Sequence, residues 1–62
     1  MTFRDAATYA RAAGIAEVAK SGKDYWTDKA YGKAVSTFYA LRPNHQGEDC
    51  ITEVLNAIHA AR

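Results

Sequence analysis

Apolar positions recur at helical spacing in three stretches of the chain, separated by short breaks carrying Gly, Ser, Asp and Pro. In the first stretch Phe3, Ala7, Ala10, Gly14 and Val18 share one face, with Arg4, Thr8, Arg11 and Ile15 lying to one side of it. The face is narrow and made of small residues, which let a neighbouring backbone come close but contribute little buried area each. Thr2-Phe3-Arg4-Asp5 has the form of a capping box, so a helix is expected to start there. Gly14 admits two readings: it sits inside one helix over about 3–20, at a cost near 1 kcal/mol, or it ends a shorter helix at about residue 13. The single helix is preferred.

Ser21-Gly22-Lys23-Asp24 interrupts the pattern, and Thr27-Asp28 then supplies an N-cap and a first-turn acid for a second helix over about 28–41. Its inward positions are Ala30, Tyr31, Ala34, Phe38 and Leu41, while Val35 and Tyr39 widen the apolar arc beyond what one core face needs. The segment Arg42-Pro43-Asn44 stops it, since proline cannot continue the ladder and the residue before it avoids the α region. A third helix is expected over about 47–61, with Glu48 and Asp49 suited to its start and Arg62 to its end. On it Cys50, Ile51, Val54, Leu55, Ile58 and Ala61 form an inward face, and Thr52, Glu53, Asn56 and His59 an outward one. Tyr25 and Trp26 suit an extended segment, but a strand that short would not change the class. The prediction is an all-α compact three-helix bundle, one domain over residues 1–62.

At 62 residues, 48% hydrophobic and 24% charged, the chain is expected to fold, with little stability to spare. A domain of this size buries only about 60% of the surface its unfolded chain exposes. Ordering costs of about 1.5 kcal/mol per residue nearly cancel the hydrophobic gain. The single cysteine, Cys50, excludes an intrachain disulfide, which makes self-association or a partner surface attractive. No stretch approaches the roughly 18 apolar residues of a membrane span, and MTFRDAATYA carries an acid where a signal peptide is apolar. A cytoplasmic protein with no membrane partner is expected. A net charge of +1 gives no overall field that would draw nucleic acid, so any basic site must be local.

Catalytic chemistry finds no support in the residues. Cys50 and His59, nine positions apart, would project to opposite sides of one helix and form no dyad, and the plainer reading makes Cys50 a small buried hydrophobe. His45 and Asp49 stand four apart, as two metal ligands on one turn would, but a site needs a third and none is evident. The glycines at 14, 22, 32 and 47 never cluster into a phosphate-cradling loop. Glu48, Asp49 and Glu53 lie where a helix start and its polar face already favour acids. The expectation is a chain with no catalytic residues, metal, cofactor or small-molecule substrate.

Two binding readings remain. The first is a protein-interaction module, a small regulator or inhibitor that binds a protein partner or a second copy of itself. It rests on Tyr25, Trp26, Tyr31, Phe38 and Tyr39, more aromatics than one inward stripe absorbs. Tyr25, Trp26, Val35 and Tyr39 are its expected contacts, with Lys29 and Lys33 as rim charges that speed encounter. The competing account of Trp26 is a lid over the bundle end, with Tyr25 and Tyr39 in support. The second reading is nucleic-acid binding, because Ala10-Arg11-Ala12-Ala13-Gly14-Ile15 resembles part of a helix-turn-helix. That resemblance implies a recognition helix from about residue 16 to 22 and contacts from Arg11, Lys20 and Lys23. Lys20 and Ser21-Gly22 fall where such a helix needs an aliphatic core residue and further length, so the first reading is favoured. Ala34 to Asn44 resembles the second helix of a tetratricopeptide repeat, but Pro43 follows Ala34 too soon and no second copy exists, so that family is not assigned.

Overall fold

The computed structural model describes residues 1–43 and 50–61. They form three helices, α1 (Phe3–Ser21), α2 (Asp28–Leu41) and α3 (Ile51–Ala60). Both expected N-caps are in place. The Thr2 hydroxyl accepts from the Asp5 N–H and the Thr27 hydroxyl from the Ala30 N–H, each at 3.2 Å. α1 runs unbroken through Gly14 and ends at Gly22, whose φ of +75° closes the helix in the left-handed conformation that glycine adopts without strain. α2 ends at Arg42, whose N–H reaches the Tyr39 carbonyl.

α1 and α2 make the principal pairing, and α3 docks chiefly on α1. Alanines at 6, 7, 10 and 34 let the helices approach closely, and Phe38, Val54 and Ile58, the largest fully buried side chains, fill the space between them. Phe3 meets Phe38 edge-on at 5.0 Å between ring centres. The Arg42 guanidinium carbon lies 5.5 Å from the Phe3 ring centre and 5.9 Å from that of Phe38, closing this end of the core with cation–π contacts.

The third helix departs from expectation. It begins at Ile51, and Cys50 is its extended N-cap residue, with φ −67° and ψ 131°. Residues 47–49 of the expected span lie outside the described residues. Cys50 and Ile51, placed on the inward face by periodicity, are both exposed. Cys50 has left the helical path, and Ile51 sits in the opening turn, before the buried positions Val54 and Ile58 begin. The buried-hydrophobe reading of Cys50 is therefore overturned. No helix among the described residues is long and apolar enough to cross a membrane.

Candidate protein-interaction surface

The expected contact residues separate into two places. Tyr25 and Trp26, in the α1–α2 connection, lie at one end of the bundle. Trp26 is half-buried and its six-membered ring lies over Gly14, where a Cβ would overlap the ring atoms Cη2 and Cζ3. Its ring centre is 5.1 Å from that of Tyr31 and 5.8 Å from that of His59, and the Tyr31 hydroxyl is 3.0 Å from His59 Nε2. This cluster ties the connection and α2 to the last turn of α3. Tyr25 points away, more than half exposed, with Lys23 Nζ 5.6 Å from its ring centre.

The other four residues come together along the outer side of α2. Val35 and Tyr39 are half-buried and line a shallow groove of about 470 Å³ with Gly32, Ser36, Ala40 and Pro43. Lys29 and Lys33 line a second open groove of about 660 Å³, whose other wall is Glu17 and Lys20 of α1. Gly32, Ser36 and Ala40, one turn apart in succession, belong to both grooves and form the low ridge between them. Lys29 Nζ pairs with the largely covered Glu17 carboxylate at 3.4 Å, so Lys33 and Lys20 carry the positive charge of this wall outward.

Gly32 is a residue that the sequence pattern does not single out, because it interrupts no helix and joins no phosphate-cradling cluster. Among the described residues a Cβ built on it meets nothing within 4 Å, in contrast to Gly14. An exposed mid-helix glycine costs about 1 kcal/mol against alanine, and nothing among the described residues requires it. The signal legible from sequence alone was a glycine on the polar side of a helix, flanked one turn away by Ser36.

The residues assigned to nucleic-acid contact are placed differently. Arg11 is half-buried and its Nη1 donates to the Ile58 carbonyl at 3.0 Å and the His59 carbonyl at 2.8 Å, capping the open end of α3. Residues 16–21 are the last turns of α1, so no separate recognition helix follows Gly14. Lys23 stands over Tyr25, and Lys20 is exposed on the groove wall. Because Arg11 satisfies two terminal carbonyls with a charged donor, Arg11→Ala is expected to destabilise the fold by about 1–2 kcal/mol, chiefly by loosening α3. Urea titration followed by circular dichroism checks this, and an unchanged midpoint would remove Arg11 from the docking of α3.

Among the described residues no three His, Cys, Asp or Glu side chains gather as metal ligands; His45 and Asp49 lie outside them. His59 sits exposed against Tyr31 and Trp26 rather than beside Cys50. Compared with known proteins, the chain matches no family model, no curated protein and no solved structure.

Proposed function

We propose that this chain is a small non-enzymatic protein-interaction module, a regulator or inhibitor that receives a helix of a protein partner along the outer side of α2. The observation that carries the reading is Gly32, a stability-costing glycine with open space around it, at the ridge shared by an apolar and a basic groove. A glycine that no described residue packs against leaves room for something outside the fold to approach the α2 backbone closely. Val35, Tyr39 and Pro43 offer the apolar wall that anchors a partner side chain. Lys20 and Lys33 offer charge that selects an acidic flank and speeds encounter. The partner segment is then an amphipathic helix with apolar anchors about one turn apart and acids along one edge. Tyr25 extends the surface beyond the helix start, while Trp26 serves it from beneath by fixing the connection. A reducing, cytoplasmic setting suits the exposed thiol of Cys50.

The same basic wall is what a nucleic-acid partner would use, and of the residues expected for that reading it keeps Lys20 and would add Lys29 and Lys33 as phosphate contacts. It leaves the apolar groove and Gly32 without a purpose, so the protein partner is preferred.

Substitution at Gly32 separates the fold from the surface. Gly32→Ala is expected to raise stability by up to about 1 kcal/mol, because it adds helix propensity at an unobstructed site. Gly32→Leu is expected to keep the helical circular dichroism while filling the ridge and abolishing capture of the partner. The test is a pull-down from lysate with and without nuclease treatment in which wild type, Gly32→Leu and Lys33→Glu are compared. A stoichiometric protein lost in both variants supports the reading. A protein retained by Gly32→Leu, or recovery that collapses with nuclease, sinks it.

A further inference from the structure

The outward side of α1, turned away from both grooves, is uncharged over most of its length. Thr8, Tyr9, Ala12, Ile15, Ala16 and Ala19 are all exposed on it. Tyr9 is 58% and Ile15 47% exposed, two of the large hydrophobic side chains that the bundle leaves in solvent. The positions 8, 12, 15 and 19 follow the alternating four- and three-residue spacing by which one helix seats against another. Charges flank this face at the ends, Asp5 with Arg4 beside it in the first turn and Lys20, at the border with the basic groove, in the last, Asp5 and Lys20 being about 22 Å apart along the axis.

We propose that this face docks a second copy of the chain, α1 against α1 in antiparallel orientation, about a twofold axis near Ala12. Such an isologous pairing needs one surface to complement itself. Here each Tyr9 comes to lie over the second copy's Ala16 and each Ile15 beside its Thr8, so that large side chains meet small ones. Asp5 of either copy reaches Lys20 of the other, giving an opposite-charge contact at both ends. A parallel pairing sets Asp5 against Asp5 and Lys20 against Lys20, which disfavours it, since like charges placed together are repulsive. The alanines at 12 and 16 let the two backbones approach. The dimer leaves Gly32 and the apolar groove of both copies outward; Lys20, which also borders the basic groove, is shared with the surface proposed for α2, and measuring self-association with no partner present keeps the two apart.

Sedimentation velocity on the purified chain, with no partner present, tests this across a concentration series. Wild type is expected to pass from one-chain to two-chain mass as concentration rises. Ile15→Asp, exposed and outside the core, is expected to raise the dissociation constant at least about tenfold while retaining its helical circular dichroism. Lys20→Glu alone and Asp5→Lys alone are each expected to weaken the dimer severalfold, and the double variant Asp5→Lys/Lys20→Glu to recover it, because the swap restores opposite charges across the twofold. One-chain mass at every concentration overturns the proposal. So does a dimer indifferent to Ile15→Asp, or a double variant no stronger than either single one.

Discussion

Phe38→Ala is expected to leave the chain largely unfolded at room temperature. The ring is fully buried, meets Phe3 and Tyr39 edge-on at 5.0 and 5.7 Å, and lies under the Arg42 guanidinium. Much of the remaining core is alanine, which buries little apolar area per residue, so Phe38, Val54 and Ile58 carry a disproportionate share of the hydrophobic stabilisation. Removing a buried phenylalanine costs about 3–5 kcal/mol. A domain of this length has in total about 3–9 kcal/mol, at the usual 0.05–0.15 per residue. Loss of the far-ultraviolet helical signal, or a thermal midpoint lowered to near ambient temperature, is the expected readout. Phe38→Leu keeps most of the volume and is expected to cost under about 1.5 kcal/mol and remain folded. A Phe38→Ala chain that melts like wild type would mean that α1 and α2 are held by something other than this ring.

The two long helices were legible because their determinants are local. Thr2 and Thr27 announce their starts, Gly22 and Pro43 mark where they stop, and the apolar spacing between agrees with what is buried. The start of α3 was not. Cys50 and Ile51 continue the apolar period of Val54 and Ile58, so periodicity alone extends the helix and its inward face to include them. Periodicity records which side a residue would occupy in a helix, but not whether the helix has begun or whether another element lies opposite. Cys50 is extended, and Ile51 falls ahead of the docked turns.

The surface was legible in part, for a related reason. Val35 and Tyr39 stood out as apolar positions in excess of one core face, and they do line a groove. Lys29 and Lys33 read as solvent-facing and are exposed. Arg11 shows the limit: a basic residue beside an apolar stripe looks the same in sequence whether it meets a phosphate or a helix end. Here it meets carbonyls of Ile58 and His59, forty-seven and forty-eight positions away. Trp26 was undecided between lid and contact because the choice depends on Gly14, a residue on another element, and no local pattern connects the two.

That connection gives the second prediction, a reversal of sign at Gly14. In an isolated helix Gly14→Ala and Gly32→Ala would each stabilise by about 1 kcal/mol. In this fold the Cβ at 14 overlaps the Trp26 ring, which must move off α1 and give up its places beside Tyr31 and His59. Overpacking of this kind costs about 1–3 kcal/mol, so Gly14→Ala is expected to be destabilising where Gly32→Ala is stabilising. Trp26→Ala alone removes a half-buried indole and is expected to cost about 2–3 kcal/mol, less than the 3–5 of full burial. With the indole gone, the obstacle to a Cβ at 14 is gone too, and adding Gly14→Ala to Trp26→Ala is expected to restore up to about 1 kcal/mol. Denaturant titration of the four chains reads out the cycle. Because Trp26 is the one tryptophan in the sequence, its emission in Gly14→Ala should also shift to the red as the ring becomes wetter. If Gly14→Ala stabilises in both backgrounds and the emission stays put, the indole does not rest on Gly14, and Trp26 is no lid over this end of the bundle.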